Sequence, residues 1–367
     1  MKRLLACLAL VLPLNDHAAP PTTPDVFSID MTEVAPGVLA YVEQPPVGIV
    51  SGTIVAVIGQ KSVMIFDTGH HPTVTRLVAK DLRKRTQLPV RFVVNSHWHD
   101  DHWVGNAAIA DLWPGVSVIA HRFTAAMMEQ RKDKFSGAPC VAELTKQSKT
   151  AREELATGQK ADGTPLSAMR RMLDEKLVAE GDYQIRECDR MAYRGADVTF
   201  EDAMELHLGD RDVWLLHLGR GNTAGDVVAL IPDAKVLLTG DLLVHPWPFA
   251  TESYIGEWAQ VLRRLEALDT AAIVPGHGAV QRDKTYLRLV AELMESIASQ
   301  VHAAYKPDMT LEELEPLVKL DEFRTRFAGD DKFLQANFDY MVGQLALKRA
   351  WQQAAGKLEP EGQPLGP

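Results

Sequence analysis

The stretch Asn95-Ser96-His97-Trp98-His99-Asp100-Asp101-His102 decides how this chain of 367 residues is read. It follows a short apolar segment, Arg91 to Val94, that reads as a strand, so it lies on a loop at that strand's C-terminal end. Three imidazoles and two carboxylates fall between His97 and His102. Zinc takes N and O ligands of this kind, and a catalytic zinc keeps one position open for water. In extended backbone, residues two apart point the same way, so His97 and His99 can reach one metal. Asp101 and His102 follow a turn and can bind a second metal nearby. The alternative, a solvated polar loop, leaves this density of ligand types without a reason.

Outward from that loop, short β-branched segments alternate with turns. Val38 to Val42, Gly52 to Ile58, Ser62 to Phe66 and Val116 to Ala120 read as strands. Val74, Leu77, Val78 and Leu82 give Thr73 to Arg85 a helical spacing. From about Thr124 to Gly195 charged residues dominate, and two or three helices are expected as an insert. Strand patterns resume at Val198 to Phe200, Met204 to Leu208, Val213 to His217, Val227 to Ile231 and Val236 to Thr239, with Ala272 to Val274 last. Trp258, Val261, Leu262 and Leu265 mark a helix before that final strand. Beyond it, Tyr286 to Val301 carries an apolar stripe, Thr310 and Glu313 fit a capping box, and Phe333 to Gln353 reads as a last helix. The order predicts sheets sandwiched by helices rather than a Rossmann fold. Gly219, Gly221 and Gly225 lack the GxGxxG spacing of a dinucleotide loop.

Composition narrows the function classes. The chain is 46% hydrophobic and 24% charged, with a formal net charge of -10. An acidic chain without a basic stripe disfavours nucleic acid as a partner, and no Lys/Arg cluster draws it to an anionic membrane. Lys2 and Arg3, the apolar run Leu4 to Leu14 and the small residues Ala18-Ala19 read in order as a signal peptide over residues 1–19. The run is shorter than the roughly 20 apolar residues of a spanning helix, so no stable membrane insertion is expected. The reading is an exported protein, periplasmic or secreted. Removal of that leader leaves Cys140 and Cys188, which an oxidising compartment allows to pair. They can equally be two buried thiols, and neither sits in a CxxC pair.

His97-x-His99-x-Asp101-His102 resembles the HxHxDH signature of the metallo-β-lactamase superfamily. The resemblance runs from about Phe27 to Gly278 and includes Phe66-Asp67-Thr68-Gly69, Gly240-Asp241 and Pro275-Gly276-His277-Gly278, in the family's order. It implies an α/β fold, a four-layer αβ/βα sandwich with one or two zinc ions at the edge of the sheets. On that fold the core domain would span residues 25–280 with the helical insert at about 124–195, followed by a C-terminal helical extension over 281–355 and a disordered tail over 356–367. The resemblance implies that His97 and His99 ligate the first metal, that Asp101, His102 and His277 ligate the second, and that Asp241 bridges both. Asp67 would orient the ligand loop by hydrogen bonds, unless it is simply a turn-forming residue. One position departs from the pattern. Where the family has a third histidine, in Gly-His-Thr-x-Gly-Asp, this chain has Asn222, whose amide oxygen is a weaker zinc ligand than imidazole. The first position is then weak, or His217 or water completes it. Some lactamases of the family also carry asparagine for a histidine ligand and work with a single zinc.

Zinc lowers the pKa of bound water to about 7, so the resemblance implies a metal-bound hydroxide attacking a carbonyl or phosphoryl centre, with Asp101 as the catalytic residue that orients it and accepts its proton. No GxSxG elbow offers a serine nucleophile. The leading expectation is a zinc-dependent hydrolase that cleaves a small-molecule ester, lactone, thioester or β-lactam amide. Asn222 motivates the alternative, a metal-binding or sensing protein with little catalysis. An oxidoreductase or a nuclease on the same fold is the third option; it lacks a following flavin domain or a basic surface. The stretch Leu242 to Trp258, with His245, Trp247, Phe249 and Tyr254, is placed at the pocket mouth, where ordinary packing competes as a reading for each residue except His245. His70 and His71 read as surface or helix-start residues. The insert and the C-terminal helices are available to cover the site or to form a homodimer.

Overall fold

The computed structural model describes residues 28–44, 51–135, 137–188 and 191–358. The expected leader and most of the C-terminal tail lie outside these residues. Seven strands form one sheet in sequential order: β1 Ile29–Ala35, β2 Val38–Glu43, β3 Ile54–Ile58, β4 Val63–Phe66, β5 Val90–Asn95, β6 Ser117–His121 and β7 Val198–Phe200. The first four pair antiparallel, and β4 to β7 run parallel. Parallel neighbours need crossovers. These are α1 Pro72–Arg85, then α2 Asp100–Trp103 with α3 Asn106–Leu112, then the insert of α4 Arg122–Arg131, α5 Gly137–Thr157 and α6 Ala168–Glu187.

The second sheet has five strands in the order β12-β11-β10-β9-β8: β8 Ala203–His207, β9 Asp212–Leu216, β10 Val228–Ile231, β11 Val236–Leu238 and β12 Ala272–Val274. Only β11 and β12 run parallel, joined through α7 Ile255–Ala267. The chain closes with α8 Thr285–Ala304, α9 Leu311–Leu314, α10 Asp321–Ala328, α11 Lys332–Phe338 and α12 Leu347–Ala354.

Side-chain alternation along the strands divides the core into layers. Val55, Val57, Met64 and Phe66 face Val213, Leu215, Ala229 and Leu238 between the sheets. Ala56 and Ile65 point the other way, onto Val74, Val78 and Leu82 of α1 and Ile109 of α3. Leu230 and Leu237 meet Trp258 and Leu262 of α7 and Leu287 and Leu293 of α8 on the opposite side. Helix, sheet, sheet, helix is the expected four-layer α/β sandwich. Because strands such as β4 and β10 are buried on both faces, they read as unbroken apolar runs rather than alternating ones.

Several elements differ from the sequence reading. Strand β1 and the short helices α2 and α3 carry no strong periodicity and are additions. The strand expected over Gly52 to Ile58 begins at Ile54, since Gly52 and Thr53 spend their backbone N–H groups on Asp101 O and Gly276 O. The helix expected over Phe333 to Gln353 is α11, a wider π-helical stretch Asp339–Ala346, and α12. The Thr310–Glu313 capping box is present. Cys140 and Cys188 form a disulfide that ties the start of α5 to the end of α6.

Candidate metal centre

The ligand loop leaves the C-terminal end of β5, bends at residues 96–98 and enters α2, so His97 sits in the bend, His99 on extended backbone and Asp101 and His102 on the first helical turn. Asn95 closes the loop by donating to His102 O at 3.1 Å. Asp67, just past β4, braces it from below. One Asp67 oxygen accepts the Ser96 N–H at 2.7 Å; the other accepts the Ser96 hydroxyl at 2.7 Å and faces His102 Nδ1 at 2.8 Å. Asp67 does this from a left-handed backbone, φ 57°, which costs a non-glycine residue free energy. The carboxylate is thus spent on Ser96 and His102 rather than on a local turn, as expected of a residue that orients the ligand loop. Fixing Nδ1 leaves His102 Nε2 free to face a cation.

Asp241 and His277 arrive from the other sheet. Asp241 follows β11 and His277 follows β12, and because these strands are parallel neighbours their C-terminal ends open at one edge. The two turns touch: a Cβ at Gly276 would stand 2.0 Å from Asp241 Oδ1, so only glycine lets the backbone pass. Gly52 is equally constrained, since a Cβ there would meet the His102 ring at 2.6 Å.

The donor atoms converge. His97 Nε2 lies 3.6 Å from Asp241 Oδ2. His102 Nε2 lies 3.3 Å from Asp241 Oδ1, 3.4 Å from Asp101 Oδ2 and 3.3 Å from His277 Nε2. His277 Nε2 is 3.0 Å from Asp101 Oδ2 and 3.5 Å from Asp241 Oδ1. Two ligands about 2.1 Å from one tetrahedral ion stand about 3.4 Å apart, so this is the spacing of atoms that share a cation. The groups fall into two clusters, His97, His99 and Asp241, and Asp101, His102 and His277. His97 Nε2 and Asp241 Oδ1 are buried without a hydrogen-bond partner. Such orphans cost free energy unless something else satisfies them, and a divalent cation fits both.

Charge is arranged to match. Burial works against the Asp101 carboxylate, but His102 and His277 outweigh it and hold its pKa well below the usual range. Burial likewise opposes the Asp241 charge, and His277, His102 and His97 prevail. His102 is pushed well above the usual histidine range: its burial is overcome by Asp101, Asp241 and Asp67. His97 goes the other way, lowered by burial and by His102.

This chain matches the family model of the metallo-beta-lactamase superfamily over residues 47–277. It belongs to the metallo-β-lactamase superfamily. Solved structures with a TM-score of 0.50 or more agree in fold. A metallo-beta-lactamase from Pontibacter korlensis is 18% identical, with 73% of this chain and 99% of that one covered and a TM-score of 0.49. DIM-1 metallo-beta-lactamase exposed to ceftazidime is 18% identical over 74% of this chain and 99% of its own, TM-score 0.51. VMB-1 is 16% identical over 74% and 98%, TM-score 0.50. No curated protein matches the chain. Superfamily members are generally hydrolytic and typically bind metal ions.

Asn222, in the segment Gly221-Asn222-Thr223-Ala224-Gly225-Asp226, is fully buried, with neither its amide oxygen nor its amide nitrogen hydrogen-bonded. Asp226 gathers the turn around it, accepting the N–H groups of Gly221 and Thr223. His217 is committed elsewhere: its Nδ1 faces Asp226 O at 2.9 Å and its ring stacks on His121 at 4.2 Å.

The clusters open into a cavity of about 560 Å³. Asp101, His99, Asp241 and His277 line its floor, and the insert supplies a wall through Arg131, Leu144, Leu173, Lys176 and Gln184. Sequence reasoning left these insert residues unassigned, since a charged helical face looks alike whether it meets solvent or a cavity. His70 and His71 line the cavity too; His71 does start α1, but it is buried beside Gln184 rather than on the surface. Of the stretch after Asp241, Phe249, Thr251 and Glu252 reach the cavity. His245 packs its ring on Tyr286 at 4.9 Å, and Trp247 and Tyr254 are buried, so packing is the better account of these three.

Proposed function

We propose that this chain is an exported, zinc-dependent hydrolase that cleaves an ester, lactone, thioester or β-lactam amide of a small molecule. The observation that carries this reading is the spacing of 3.0–3.6 Å among imidazole and carboxylate atoms from loops far apart in sequence, at the floor of a cavity. In this reading His97 and His99 would hold one ion, Asp101, His102 and His277 would hold the other, and Asp241 would serve both. A bound zinc supplies Lewis acidity and a water acidified towards a pKa of about 7. The rest is the work of side chains. Asp101, kept ionised by two imidazoles, orients the attacking water and takes its proton. Trp98 and Phe249 give the substrate apolar walls, and Arg131, stacked 4.4 Å over Trp98, presents a cation to the same space. The volume suits a small organic molecule.

Export is supported by the order of charge, apolar run and small residues over 1–19 and by the Cys140–Cys188 disulfide, a bond of oxidising compartments. Among the described residues no helix is long and apolar enough to cross a membrane. Mass spectrometry of the chain recovered from expressing cells should find it beginning beyond Ala19; an uncleaved Met1 start would remove export.

The central test is elemental analysis of the mature protein followed by a hydrolysis panel of the four bond classes. Zinc should be present, at least one class should be cleaved, and a chelator should abolish the activity reversibly. A zinc-loaded protein inert to all four would favour the second reading, a metal-binding or sensing protein, which Asn222 and its unpartnered amide support.

A further inference from the structure

Two Lys/Arg side chains among the described residues line the cavity, Lys176 and Arg131, and they differ in what they face. Lys176 Nζ is held between the carboxylates of Glu43 and Glu180, so its charge is already answered. Arg131 has no such partner. Among the described residues its side chain takes part in no ion pair, and its Nε is buried without a hydrogen-bond partner. Glu252 feels its charge but turns to His99 Nε2 at 3.3 Å. What holds Arg131 is an aromatic face: its guanidinium lies 4.4 Å over the Trp98 ring. That ring is buried, packs with Met127 and Met128 of α4, and meets the His99 ring edge-on at 4.7 Å. Arg131 is the last residue of α4. The insert and the ligand loop thus place an open cation one aromatic ring away from an imidazole of the metal centre.

We propose that Arg131 binds a carboxylate of the substrate, so that the compound cleaved is an anionic acyl compound rather than a neutral one. A guanidinium presents paired N–H donors that match the two oxygens of a carboxylate, and it is more weakly hydrated than an ammonium. Stacking covers the guanidinium's face and leaves the donors at its edge open. A buried donor left unpaired costs free energy, and a substrate carboxylate would supply the partner. A single planar charge fits better than a dianion such as phosphate, because Asp101, Asp241, Glu180 and Glu252 also line the cavity and oppose a second negative charge. Arg131 is then a specificity-determining residue, distant from the bond that breaks. The proposal rests on the hydrolase reading above and adds the charge of the substrate to it.

The test compares wild type, Arg131→Gln and Arg131→Lys, each as the purified full-length mature protein. The panel pairs an ester, a lactone, a thioester and a β-lactam, each bearing a carboxylate, with the same compounds as primary amides. Wild type should cleave the carboxylates at the higher kcat/KM. Arg131→Gln should raise their KM at least about tenfold with kcat little changed, the mark of lost binding away from the reacting bond, and should leave the amides alone. Arg131→Lys keeps the charge without the paired donors and should restore part of the loss. Thermal unfolding verifies that the variants keep the fold. Titration calorimetry with phenylacetate and phenylacetamide gives a readout without turnover: Arg131→Gln should weaken phenylacetate alone. A wild type without preference for the carboxylates, or losses in Arg131→Gln shared by both series, would overturn the role of Arg131 and leave the hydrolase reading intact. A wild type that cleaves nothing, yet binds phenylacetate through Arg131, would remove the hydrolase reading and keep the carboxylate site. No cleavage, with phenylacetate binding unchanged by the substitution, would remove both.

Discussion

The two halves of the metal centre are built differently. The second cluster takes Asp101 and His102 from one helical turn and His277 from a turn next to Asp241, and Asp67 braces it from a strained backbone. Its three donor groups stand 3.0–3.4 Å apart. The first cluster has His97, His99 and a share of Asp241, with, among the described residues, no brace like Asp67 on His99, which faces the partly exposed Glu252 at 3.3 Å. Both halves need a donor from far along the chain, His277 in the second cluster and Asp241 in the first. The lesson is that one signature can feed two clusters of unequal support, because the groups that brace each of them come from different elements.

The largest expected effect comes from the group the halves share. Asp241→Ala should release both ions and lower hydrolysis by more than about 100-fold, beyond what loss of a supporting residue costs; elemental analysis that still found two ions would break the comparison. Next, Asp67→Ala should weaken the second cluster most, by about 10- to 100-fold in zinc affinity, and the first less, since Asp67 reaches His97 only through the Ser96 hydroxyl. Equal weakening of both steps in chelator competition would mean that the brace is not specific to His102. Proton competition should follow. Zinc needs neutral imidazole, and in the ion-free protein His102 and His277 are raised above the usual histidine range, with burial overcome by the carboxylates. Zinc affinity of the second cluster should therefore fall as pH drops from about 8 to 6, by up to about tenfold per unit for each proton displaced. His97, lowered by burial and by His102, adds no such competition in that window; calorimetry in buffers of different ionisation enthalpy counts the protons released. The smallest effect is Asn222→His, which should tighten the first step a few-fold and leave the second alone. A first step left unchanged would show that the side chain at this position does not face that ion.

Much of this was legible in the chain itself. The strands buried on both faces announced themselves as apolar runs, α1, α7 and α8 by spacing, and His97, His99, Asp101 and His102 by density of ligand types within one turn of chain. Asp241, His277 and Asn222 carried no such density and were reached through the order of family motifs. What stayed hidden were groups whose role depends on facing direction. Glu252 lies in an ordinary polar turn, Arg131 and Lys176 look like any solvated helix face, and Arg349 reads as a surface charge until α12 packs it against the Glu252 backbone.

By itself, the sequence determined the layers and the ligand chemistry, because burial and metal preference depend on residue type and short spacing, and both are written locally. Only the tertiary structure decided whether the two cysteines pair, which imidazoles and carboxylates converge, and which side chains of the insert line the cavity. Those are distances between segments far apart in the chain, and no local pattern encodes a distance that several independently packed elements set together.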